Sequence, residues 1–76
     1  MTVNITVYGM LRKKRPDLVD RNAVATEASS VGGLIAELNL GKPETLIVFV
    51  NGKRAGAAAV IEAEDVIKIF PLLGGG

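Results

Sequence analysis

The residues with the clearest chemical potential stand at the end of the chain, where Phe70-Pro71-Leu72-Leu73 runs into Gly74-Gly75-Gly76. Three consecutive residues without side chains can thread a channel too narrow for any other sequence. Fully extended at about 3.3 to 3.6 Å per residue, the run from Leu72 to Gly76 reaches roughly 17 Å beyond the body that carries it. It finishes in a carboxylate with an ordinary pKa of about 3.3 to 3.7, ionised near neutral pH. Such a group is a poor electrophile until one oxygen becomes a leaving group, so chemistry at Gly76 means activation by another protein. The bland alternative is a frayed end with no role. Leu72 and Leu73 lie past a proline and are hard to bury, which suits them to partner binding. Phe70 is either a third such contact or a core residue, because alternation alone leaves its face open.

Other chemistries are narrowed by what the chain lacks. It holds neither cysteine nor histidine, which removes thiol nucleophiles, disulfides, zinc sites with sulfur or nitrogen ligands and the usual general base. No metal site and no bound cofactor are expected. A net charge of +1 gives no global footprint for nucleic acid. The run Arg12-Lys13-Lys14-Arg15 reads first as a solvated loop, second as a contact for an acidic partner surface, and last as an RNA site. RNA ranks last because single-strand binding combines charge with several stacking rings, and Tyr8 is the one aromatic nearby. Lys53 and Arg54 flank a turn and are explained by solvation.

The elements that would hold the tail follow from periodicity. A chain of 76 residues makes one small domain. No apolar run approaches the roughly 20 residues of a membrane span, and no signal-like segment opens the chain, so a cytoplasmic protein is expected. Val3, Ile5 and Val7 alternate with polar residues as a half-buried strand that Gly9 ends. Met10 to Asn22 reads as a loop, and Ala23 to Glu27 as a weak strand. Ser30 is placed to cap a helix whose Val31, Leu34, Ile35 and Leu38 share one face, with Gly41 as its stop. Gly32 and Gly33 in the first turn cost up to about 1 kcal/mol each against alanine, so packing must hold this helix. Leu46 to Val50 is a continuously apolar, buried interior strand leading into the hairpin signal Asn51-Gly52. Ala55 to Ile61 could hold a short strand and one helical turn. Val66 to Phe70 is the last strand, ended by Pro71. The expected division is a body over 1–71 and a flexible tail over 72–76.

Strand, weak strand, helix, buried strand with an Asn-Gly turn and a final strand ending in glycines is the order of a β-grasp domain, an α+β fold with a mixed sheet packed on one helix. Val7-Tyr8-Gly9-Met10-Leu11-Arg12-Lys13, Val31 to Leu38, Val48-Phe49-Val50-Asn51-Gly52-Lys53 and Asp65-Val66 with Ile69 through Gly76 resemble the ubiquitin-like sulfur-carrier family. That family includes the small subunit of molybdopterin synthase and the thiamin-pathway carrier. Phe70-Pro71 followed by two leucines and glycines is more similar to the molybdopterin branch. The resemblance implies that an adenylating enzyme resembling a ubiquitin-activating enzyme uses ATP and magnesium to convert Gly76 to an acyl-adenylate. Sulfur from a persulfide donor then leaves a thiocarboxylate, delivered to an acceptor such as the molybdopterin synthase large subunit. Gly74 and Gly75 would permit passage, and Phe70, Leu72 and Leu73 would contact partners. The chain would be a substrate of enzymes, with a ubiquitin-like protein modifier as the rival reading. Two departures from the family pattern, Gly33 where an acidic residue is common and the glycine-free turn Glu62-Ala63-Glu64-Asp65, put local stability in question.

Overall fold

A computed structural model describes residues 1–72 and shows β-branched alternation turned into a five-stranded sheet of order β2-β1-β5-β3-β4. The strands are β1 (Thr2–Val7), β2 (Asn22–Ala25), β3 (Leu46–Val50), β4 (Lys53–Ala55) and β5 (Val66–Pro71), with helices α1 (Leu11–Lys14) and α2 (Val31–Leu38). β1 pairs in parallel with β5, Val7 facing Ile69, while the other ladders are antiparallel. This is the β-grasp arrangement. Val3, Ile5, Val7, Ile67 and Ile69 point to one face, where they are almost wholly buried with Val31, Leu34, Ile35 and Leu38 of α2.

The start of α2 accounts for all of its leading donors. Ser30 Oγ accepts from Gly33 N at 3.1 Å and Ser30 O accepts from Leu34 N at 3.0 Å. Val31 N and Gly32 N donate to Ala59 O and Ala57 O at 2.9 and 2.8 Å, so the link after β4 serves as the rest of the cap. A Cβ on Gly32 would stand 3.2 Å from Ala57 O, which explains a glycine where propensity argues against one. The link is therefore neither helical nor idle: Ala59 N donates to Gly56 O in a turn, and Val60 bridges Ser30.

Four other expectations shift. The Met10–Asn22 loop contains α1 and a 3-10 turn over Pro16–Leu18, because Leu11 and Leu18 are buried anchors amid the charges. Helix α2 stops on Asn39, left-handed at φ 59°, with Gly41 serving the next turn; asparagine tolerates that conformation. The second strand begins one residue earlier than expected and ends at Ala25. Pro71 lies within β5 instead of just beyond it, paired with Leu46 as the last residue of the strand. Its missing N–H would point toward Tyr8 O, which accepts from Leu11 N instead, so no ladder bond is lost.

Candidate functional site

Side chains alternate across β5, so with Ile67 and Ile69 buried, Val66, Lys68 and Phe70 face away from α2. Parallel pairing puts Tyr8 beside Phe70, and antiparallel pairing puts Ile47 opposite Phe70 and Phe49 opposite both Lys68 and Arg54. All three aromatic residues of the chain thereby meet on one face. Tyr8 and Phe70 stack with ring centroids 4.2 Å apart and planes 7° from parallel, and Phe49 meets Phe70 edge-on at 5.8 Å and 84°. Phe70 is accordingly half-buried on the outer face and is not part of the core beneath α2. Tyr8 and Phe70 each spend a ring face on the other, which leaves fewer faces for base stacking and suits an apolar contact.

The same strand order brings the start of α1 to the end of β5. Gly9, at φ 60°, has space for Pro71 only because it lacks a side chain: a Cβ there would lie 2.8 Å from Pro71 Cγ. Leu72 N donates to Thr45 O at 3.0 Å, so the backbone at the expected junction of body and tail is tied to the sheet. Its side chain is 45 % exposed and borders a groove of about 510 Å³ shared with Pro43, Glu44 and Leu46. Met10, at 68 % exposure, and Arg12, Lys13 and Lys14 are exposed at and along α1.

Arg15 belongs elsewhere. Its guanidinium donates to Leu38 O at 2.8 Å, closing the end of α2, and to both carboxylate oxygens of Asp17 at 3.0 and 2.8 Å. Those bonds from Arg15 hold the Asp17 carboxyl below the usual carboxylate range. Only the first three residues of the basic run thus remain available to a partner. Among the described residues no group of three or more acidic, histidine or cysteine side chains could hold a metal ion, and no helix is long and apolar enough to cross a membrane.

Of the residues singled out by sequence, Phe70 and Leu72 are placed at the end of β5, whereas Leu73, Gly74, Gly75 and Gly76 lie outside the described residues. Tyr8, Ile47 and Phe49 were missed as members of the site. The run Leu46 to Val50 reads as buried throughout, yet only Leu46 and Val48 are, while Ile47 and Phe49 stand half-covered on the outer face. The usable signal is the alternation concealed in that run, which becomes visible once its register against β5 is known.

The ThiS family model matches residues 5–76. Similar solved structures include a Pyrococcus furiosus protein provisionally described as molybdopterin converting factor, subunit 1. It is 19 % identical with a TM-score of 0.72, covering 93 % of this chain and 97 % of that one. SAMP1 from Haloferax volcanii is 16 % identical, with a TM-score of 0.70 and 100 % of both chains covered. Small archaeal modifier protein 1 from Methanosarcina acetivorans is 15 % identical, with a TM-score of 0.73, covering 99 % of this chain and 96 % of that one. These likenesses show the shared fold. No curated protein gives a significant match. The family match runs from Ile5 within β1 through the aromatic face to the glycine end, and the chain belongs to the ThiS family of ubiquitin-like sulfur carriers.

Proposed function

We propose that this protein carries sulfur as a thiocarboxylate on Gly76 and donates it in molybdopterin biosynthesis. It is a substrate of its partner enzymes, not a catalyst. The observation that carries the reading is the aromatic face of Tyr8, Phe49 and Phe70, built on the strand that continues into the tail. A partner seated on that face would hold the chain while residues 73–76 extend roughly 13 Å toward a reactive centre. Membership of the ThiS family and the likeness to a protein provisionally described as a molybdopterin converting factor support the choice.

In the proposed sequence the Gly76 carboxylate attacks the α-phosphate of ATP held with magnesium by an adenylating enzyme, and pyrophosphate leaves. A persulfide on a donor protein attacks the carbonyl and AMP leaves. A partner thiol then cleaves the acyl disulfide, itself forming a disulfide, and the thiocarboxylate remains for an acceptor such as the molybdopterin synthase large subunit. This chain contributes a docking face, a side-chain-free end and no thiol of its own to intercept the activated acyl group. Arg12, Lys13 and Lys14 would meet acidic side chains of a partner beside the tail. The similar proteins named as modifiers favour one second reading, transfer of activated Gly76 to a lysine of a target protein.

Replacing Gly76 with Phe tests the proposal. The variant is expected to melt at the same temperature as the native chain and to fail to support sulfur-dependent cofactor synthesis. Normal synthesis with Gly76→Phe would overturn it.

A further inference from the structure

The two edges of the sheet are built differently. β4 is three residues long and presents Lys53 and Arg54, the short, charged form that discourages strand addition. β2 has no charge and no proline within Asn22–Ala25. Its ladder to β1 fixes which groups are free. Met1 N donates to Thr26 O at 3.1 Å and Thr26 N to Met1 O at 2.8 Å, so Thr26, Val24 and Asn22 turn their backbone groups toward β1. Ala23 and Ala25 turn theirs outward, and both are exposed with only methyl side chains to obstruct an approaching strand.

We propose that the β2 edge is a self-association surface on which a second copy of this chain pairs antiparallel, β2 to β2, about a two-fold axis. The register is set by the outward groups. Placing Ala23 opposite the copy's Ala25 satisfies both residues reciprocally, with Val24 opposite its own counterpart. The same register brings exposed Arg21 to the level of exposed Glu27 on the copy, twice by symmetry. Within one chain these two residues are six apart along a strand, roughly 20 Å, and cannot pair. Complementarity therefore exists only between copies. The ladder stops there, because Glu27 N already donates to Glu37 Oε2 at 3.2 Å, and the Glu37 carboxylate adds negative charge facing the incoming Arg21.

The product is a continuous sheet with both aromatic faces on one side. β5 is separated from β2 by β1, so both docking faces and the last described residues of both β5 strands stay clear of the seam. The short edge makes the association weak, with a dissociation constant near the millimolar range.

A dilution series of the full chain, followed by amide resonances and sedimentation, tests this. Expected are dimers at millimolar concentration, with Ala23 and Ala25 amides moving on dilution while those of Asn22 and Val24 move little. Arg21→Glu should weaken association at least about fivefold, and adding Glu27→Arg should restore it. Ala23→Pro, which removes an outward N–H and no ladder bond to β1, should abolish it. A monomer throughout the series would overturn the proposal, as would failure of the charge-swapped pair to restore association. An Ala23 amide that responds to an added extended peptide but not to protein concentration would equally overturn it, assigning the edge to a different protein.

Discussion

Both faces of the sheet carry apolar side chains but use them differently. On the inner face Ile5, Ile67 and Ile69 have no exposed surface and lie under α2. On the outer face Tyr8, Ile47, Phe49 and Phe70 are only half-covered, by one another. Burial on the inner face stabilises the fold outright. The outer cluster withdraws part of its surface from water and leaves the rest unpartnered, as expected of a platform awaiting another protein. Because one strand alternates between the faces, β5 belongs to both: its odd residues fix the body and its even residues lead to the site.

The contrast breaks most visibly at two positions of β5 that lie on opposite faces. Ile67→Ala should destabilise the fold by about 2–5 kcal/mol, through lost burial and an unfilled cavity, read from urea unfolding. Phe70→Ala should cost less, about 1–2 kcal/mol, because the ring is only partly buried and a stacked pair adds about 0.5–1.5 kcal/mol. Its larger effect should be on partner binding, with affinity for the proposed adenylating partner falling at least about tenfold, or about 1.4 kcal/mol by titration calorimetry. If Phe70→Ala unfolded the chain as readily as Ile67→Ala, the division between faces would be wrong.

A stabilising change can sharpen the same contrast. Glu64 holds φ 70° in the glycine-free turn before β5, a conformation that costs an L-residue roughly 1–2 kcal/mol. The turn is held by Asp65, whose carboxylate accepts from Glu62 N at 2.8 Å and Asn51 Nδ2 at 2.9 Å. Glu64→Gly should raise stability by about 0.5–1 kcal/mol and leave partner affinity unchanged, since the turn lies a full strand from the tail.

The smallest effect concerns acid. The Asp17 carboxyl is depressed by its bonds from Arg15, so the pair's contribution is present above the unfolded pKa and lost as pH falls through the folded one. Asp17 is exposed, and the effect is correspondingly slight. Asp17→Asn should remove a small part of the acid dependence of the melting temperature, without altering docking, and the native Asp17 resonance should titrate below the ordinary aspartate range.

Much of the inner face was legible in the sequence, because alternation in β1, the Ser30 cap, the apolar spacing of α2 and the Asn51-Gly52 turn are local signals. Asn51 and Gly52 indeed take positive φ of 53° and 84°, the hairpin geometry expected of that pair. The outer cluster was not legible, because Tyr8, Phe49 and Phe70 are joined by ladder register and not by spacing. Gly32 likewise looks like a flaw until Ala57 O is found against it. Leu11 and Leu18 were obscured by a charged run whose fourth member, Arg15, closes a helix distant in sequence.

Whether Gly76 is loaded while the folded body serves as the handle is tested most directly by the mass of the intact protein isolated from its native cells under demand for molybdopterin. One carboxyl oxygen replaced by sulfur, located to Gly76 by fragmentation, is the predicted result. An unaltered terminus under that demand, or a terminus found joined only to lysines of other polypeptides, would contradict it.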